Sequence, residues 1–179
     1  MDRYQQASII FELINRLRQH GSWCGEAHVQ KATYLLKDLC DVPLNFDFIL
    51  YKYGPFSFEL RDELTAFRAD GLIILEPKSY YGPRLKVTEL GQSLLTRFPR
   101  TLSKYRDYIN SVTKPLGARG VSDLECLATA LYITKNYHGA PSIRDRVQKL
   151  RDEKPHVSAK SAEEAIREID NLMKACPTR

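Results

Sequence analysis

The sequence predicts an α+β fold that is mostly helical, and three observations carry that prediction. Apolar residues recur at helical spacing over most of the chain, beginning with Ile9, Ile10, Leu13, Ile14 and Leu17. Residues 46–53 (FDFILYKY), 72–79 (LIILEPKS) and 84–89 (RLKVTE) are instead rich in the aromatic and β-branched residues of strands. Gly54-Pro55, Gly71 and Gly82-Pro83 punctuate the joins.

The first helix is expected over 3–20, with Gly21 as its stop. The second spans 26–39, turning Val29, Ala32, Leu35, Leu36 and Leu39 inward and Lys31, Lys37 and Asp38 outward. A strand follows over 46–53, and Gly54-Pro55 turns the chain. Ser57 caps the next helix, Glu59 sits in its first turn, and Leu60, Leu64 and Phe67 line one face until Gly71. Residues 72–79 and 84–89 form a hairpin around the turn YYGP, and ELGQSLLTRF starts another helix behind Thr88. Helices over 101–112, 122–137, 142–153 and 161–175 complete the chain, with a Ser122/Glu125 capping box on the second and a loop at 114–120. The run of helix, Gly-Leu-Ile, hairpin and Val-Thr-Glu-Leu-Gly predicts a winged-helix-like core with a β-hairpin wing in residues 1–100. Residues 101–179 are a C-terminal helical extension packed on it.

The 179 residues are 43% hydrophobic, enough for a real core. No run approaches the roughly 18 apolar residues of a membrane span, and charges interrupt the N-terminal apolar positions, unlike a signal peptide. A cytoplasmic protein with no membrane partner is the expectation. Cys24, Cys40, Cys126 and Cys176 form no CxxC and read as reduced thiols. Most of the net charge of +5 lies in the second half: residues 1–100 hold 13 basic against 12 acidic side chains, residues 101–179 hold 14 against 10.

No nucleophile–base constellation, phosphate-binding glycine loop, GxSxG or HExxH is present. Cys24 and His28, with Glu26 between them, suggest a Cys-His pair but have no third group at a recognisable spacing; Cys24, His28 and Cys40 match no zinc spacing, and His20, His138 and His156 are isolated. The expectation is therefore a non-enzymatic protein without catalytic residues, metal or cofactor. Two binding readings remain. DNA would be met by the wing, through Lys78, Arg84 and Lys86, with Tyr80 and Tyr81 at its tip. The preceding helix is a poor groove reader, since Glu59, Asp62, Glu63 and Asp70 outnumber Arg61 and Arg68. A second basic stretch, Arg144, Arg146, Lys149, Arg151 and Lys154, reads as a solvated helix face diluted by Asp145, Asp152 and Glu153. A protein partner would be met by Tyr51, Tyr53 and Phe56, with Tyr80 and Tyr81, provided Tyr51 and Tyr53 face outward. Self-association stays open.

Three stretches resemble one family. HVQKATYLLKDL is similar to its "LQKLxYLL" helix, and YKYGPFSFELRDELTAFRADGLI to its "YGPYSxEL…L…GLI" core. SDLECLATALYI with EKPHVSAKSAEEAI is similar to its C-terminal helices. The chain resembles the uncharacterised YwgA-like proteins and, more distantly, the Panacea (SocA-like) antitoxin domain. The first resemblance implies the fold; the second implies a protein-binding role, with a toxin or defence component as partner.

Overall fold

The computed structural model of the chain describes residues 1–78, 81–137 and 142–177, with Tyr81 described by its backbone alone. Its elements are α1 (Arg3–Gln19), α2 (Glu26–Asp38), β1 (Ile49–Tyr51), β2 (Gly54–Phe56), α3 (Phe58–Ala69), β3 (Ile73–Lys78), β4 (Tyr81–Val87), α4 (Glu89–Arg97), α5 (Pro99–Leu116), α6 (Val121–Asn136), α7 (Ile143–Glu153) and α8 (Ala159–Ala175). The protein is mostly helical, with two small antiparallel sheets, β1–β2 and β3–β4. Among the described residues, no helix is long and apolar enough to cross a membrane.

Helix α1 is the axis of the core. Asp2 caps it in a reciprocal box with Gln5, and Ala7, Ile9, Ile10, Phe11, Leu13, Ile14 and Leu17 are wholly buried. Helices α2, α4 and α5 and strand β4 pack around it. Phe11 meets Phe67 of α3 edge-on, with ring centroids 5.1 Å apart, a favoured aromatic geometry. Helix α6 then carries the core outward, packing on α2 and β2 on one side and on α7 and α8 on the other. Ile73 and Val87 pair across the β3–β4 hairpin and are both buried. Thr88 caps α4 by accepting from the Gly91 amide, and Gly91 presses so closely on the Leu72 carbonyl that a side chain would clash there.

Several boundaries differ from the sequence reading. The strand expected over 46–53 is only Ile49–Tyr51, because Val42, Leu44 and Phe46 are buried in alternation with exposed neighbours and so imitate a strand. Residues 54–56 form the partner strand, and Lys52-Tyr53 make the turn expected at Gly54-Pro55. Helix α5 continues to Leu116 through Pro115, carried by burial of Val112, Thr113 and Leu116. No side chain caps α6: Gly120 is its N-cap, and Glu125 faces the Lys154 ammonium at 3.8 Å instead of closing a box with Ser122. Ser142 and Ser158 cap α7 and α8.

The cysteine expectation also changes. Cys40, just past α2, is disulfide-bonded to Cys176, just past α8, at a sequence separation of 136 residues. Their proximity is a product of tertiary packing that no local spacing announces. Cys24 and Cys126 are free thiols. Replacing Cys176 by serine is expected to lower unfolding free energy by about 2 kcal/mol, the low end of the disulfide range because α8 is also held by α6 and α7. Urea unfolding of variant and wild type checks this, and an unchanged midpoint would contradict it.

Candidate protein-docking surface around the Gly54-Pro55 segment

Strand β2 of the hairpin packs on α6 and α2, and two polar side chains of α2, Gln30 and Lys31, fix the segment there. Gly54 has φ +89°. A Cβ at that position would sit 2.8 Å from the Thr129 hydroxyl and 3.3 Å from the Glu125 carbonyl, so both conformation and space call for glycine. Pro55 follows without an amide hydrogen to satisfy, as suits a two-stranded edge. Its carbonyl accepts a hydrogen bond from the Lys31 ammonium at 2.9 Å. The Gln30 amide then grips both backbone groups of Ser57, donating to its carbonyl at 2.9 Å and accepting from its N–H at 3.0 Å. Ser57 accepts from the Leu60 amide to cap α3 and donates to Glu59, which holds the Glu59 carboxyl below the usual carboxylate range. The Gln-Lys pair of α2 and the Tyr-Gly-Pro-Phe-Ser stretch are thus two halves of one clamp.

Lys31 therefore does not face outward as the helical wheel suggests. It is 3% exposed. Burial pushes its amine down to about 8, with Glu125 pulling it up and Lys154 pushing it down. A base whose folded pKa is lowered costs stability while protonated, and the cost is relieved as pH rises from about 8 toward the unfolded value of 10.5. Wild type is expected to gain about 2 kcal/mol between pH 7.5 and 9.5 relative to Lys31→Met, measured by urea unfolding. Parallel pH profiles for the two proteins would refute this.

Because the clamp holds the inner side of the hairpin, its rings are left outside. Tyr51 is 55% exposed and Tyr53 58%, which answers the question that alternation along a strand leaves open. Phe56 is half-buried beneath them. Tyr51 lies 5.6 Å from Phe58 and 6.0 Å from Phe56, and Phe56 meets Phe58 edge-on at 5.1 Å. Lys52 covers Tyr53 at 5.4 Å and Arg61 covers Phe58 at 5.0 Å, cation over ring. Ile49 and Phe58 belong to the same exposed patch. The sequence counts Phe58 among the aromatics around the Gly-Pro turn, whereas Ile49 is not singled out there. Phe58 directly follows the N-cap, and Leu60, Leu64 and Phe67 already define the inward face of α3.

The residues expected to meet DNA are differently employed. Lys78 is exposed at the end of β3. Arg84 donates to the backbone carbonyls of Trp23 and Ser22 and stacks on the Trp23 ring. Lys86 faces Glu76 at 3.2 Å; Glu76 also accepts from Arg18, and these two cations hold its carboxyl low, Arg18 foremost. Tyr80 and His138 lie outside the described residues, as does the side chain of Tyr81. In the second basic stretch, Arg146 is 9% exposed and makes a bidentate pair with Asp170, and Lys154 is buried beside Glu125. Arg144 and Arg151 remain as exposed, solvated charges. Cys24 points at the Ile14 carbonyl and burial pushes its thiol up to about 12, the opposite of an activated nucleophile.

The chain matches no protein-family model and no curated protein.

Proposed function

We propose that the protein is a non-enzymatic regulatory protein that binds another protein through the patch formed by Tyr51, Tyr53, Phe56 and Phe58. The observation that carries this reading is a rigidly clamped hairpin whose tyrosines are more than half exposed. Tyrosine is enriched at interface hot spots, and a fixed platform loses little entropy on binding. Lys52 is exposed at the hairpin tip, and among the described residues no carboxylate pairs with it. The partner segment is therefore apolar, with an acidic side chain opposite Lys52. Residues 1–100 are read as a winged-helix-like core, in keeping with the resemblance to YwgA-like and Panacea domains. An antitoxin-like or defence-associated role follows from the same resemblance.

DNA docking through β3–β4 is the competing outcome. It would rest on Lys78, for which no intramolecular partner is found among the described residues, since Arg84 and Lys86 already have such partners. An electrophoretic shift assay over a salt titration is expected to show no specific complex. A salt-dependent shift that disappears in the Lys78→Ala/Lys86→Ala variant would replace protein binding by DNA binding.

A further inference from the structure

The Cys40–Cys176 disulfide joins two unequal anchorages. Cys40 is 5% exposed, and Leu39, Val42 and Leu44 on either side of it are buried in the core. Cys176 is half-buried and follows the least supported part of α8. The buried residues of that helix are Ala162, Ala165, Ile166 and Ile169, and Asp170 then pairs with Arg146. Beyond this pair Leu172 is half-buried, while Asn171, Met173, Lys174 and Ala175 are exposed. The bond to Cys40 is therefore the main tie between residues 171–176 and the body of the protein.

The surroundings of the two sulfurs suit the reduced pair as well as the bond. The Ser111 hydroxyl of α5 lies 3.6 Å from the Cys40 sulfur and 3.9 Å from the Cys176 sulfur. Its own hydrogen is donated to the Tyr108 carbonyl at 2.8 Å, so it meets the sulfurs as an acceptor. A disulfide sulfur has no hydrogen to give, whereas a thiol S–H is a weak donor. Ser111 thus gains a hydrogen bond only when the pair is reduced.

The bond is also within reach of a small thiol. Cys40 lines a cavity of about 400 Å³ with Val42, Pro43, Lys104, Tyr105 and Tyr108. Cys176 is the more exposed of the two sulfur-bearing residues, and thiol–disulfide exchange depends on which sulfur can be reached. Burial raises the thiols of Cys24 and Cys126, so neither competes as an attacking thiolate.

We propose that the Cys40–Cys176 disulfide is a redox-operated latch on the end of α8, opened by small thiols and closed by their disulfides. A thiolate attacks the Cys176 sulfur, the protein S–S bond breaks, and Cys40 leaves as a thiolate that takes a proton from water and donates it to Ser111 in a hydrogen bond. A second thiolate attacks the external sulfur of the mixed disulfide and releases Cys176, which is protonated in turn. Two external thiols are oxidised to one disulfide, and the protein disulfide is reduced to two thiols. Cys40 stays seated in the core, and residues 171–176 come free. The latch does not depend on the docking surface.

The test uses the full chain carrying Cys126→Ser, equilibrated without denaturant in mixtures of reduced and oxidised glutathione. Reduction is expected to be reversible, and to speed amide exchange over residues 171–176 at least about tenfold while residues 162–169 stay within about twofold. Trypsin should cleave after Lys174 faster in the reduced protein, and oxidised glutathione should restore the protection. Ser111→Ala removes the acceptor of the reduced pair and should shift the dithiol–disulfide equilibrium about threefold toward the disulfide. A disulfide that glutathione reduces only after the chain unfolds would overturn the proposal. So would exchange over 171–176 that is unchanged on reduction, exchange that rises equally along all of α8, or a Ser111→Ala equilibrium equal to that of wild type.

Discussion

Replacing Gly54 by alanine is expected to destabilise the protein by about 4 kcal/mol. Two costs combine. An L-residue at φ +89° meets the left-handed penalty, on the order of 1–2 kcal/mol. The new Cβ would lie 2.8 Å from the Thr129 hydroxyl, in a wall formed by α6 that cannot retreat without disturbing Leu127, Leu131 and the buried contacts of α2; overpacking of that kind costs about 1–3 kcal/mol. Urea unfolding monitored by circular dichroism measures the loss. Thr129→Ala removes the nearest clashing atom and should recover part of it in the Gly54→Ala background. A Gly54→Ala protein as stable as wild type would mean that the hairpin is not seated on α6.

The second large effect concerns binding. The Tyr51→Ala/Tyr53→Ala double variant is expected to lose at least about a hundredfold in affinity for the partner protein, or roughly 3 kcal/mol. Both side chains are more than half exposed, so the same variant should unfold within about 0.5 kcal/mol of wild type. That pairing of outcomes is what separates an interface from a core: a core tyrosine would lose stability first and binding as a consequence. Lys52→Glu should weaken the complex as well, by placing a carboxylate opposite the partner's acid.

The helices were legible in the sequence because burial and capping follow local rules. Asp2, Ser57, Thr88 and Ser142 all cap helices through side-chain oxygens, and the apolar stripe of α1 corresponds to its buried face. Legibility ends where distant segments meet. Nothing near Lys31 indicates that its ammonium crosses to the Pro55 carbonyl, because the helical wheel knows only its own axis. Cys40 and Cys176 belong to elements that meet through α5 and α6, and spacing along the chain cannot pair them. Glu125 has the right offset from Ser122 for a capping box, yet the buried Lys154 competes for its carboxylate. The Tyr-Gly-Pro stretch was readable as the junction of a strand and a helix, but its turn lies two residues earlier, at Lys52-Tyr53. Exposure of the two tyrosines follows from that displacement: once Gly54 and Pro55 are pressed on α6, the turn before them must project.

The most direct test of the account is a comparison of wild type with the Tyr51→Ala/Tyr53→Ala variant against one purified partner. The protein retained from native lysate by wild type and lost by the variant is identified, produced recombinantly and titrated by calorimetry. A saturable protein–protein complex whose affinity falls at least about a hundredfold in the double variant, with folding stability unchanged, is the predicted result. A partner that binds both proteins equally would place the interface elsewhere and contradict the account.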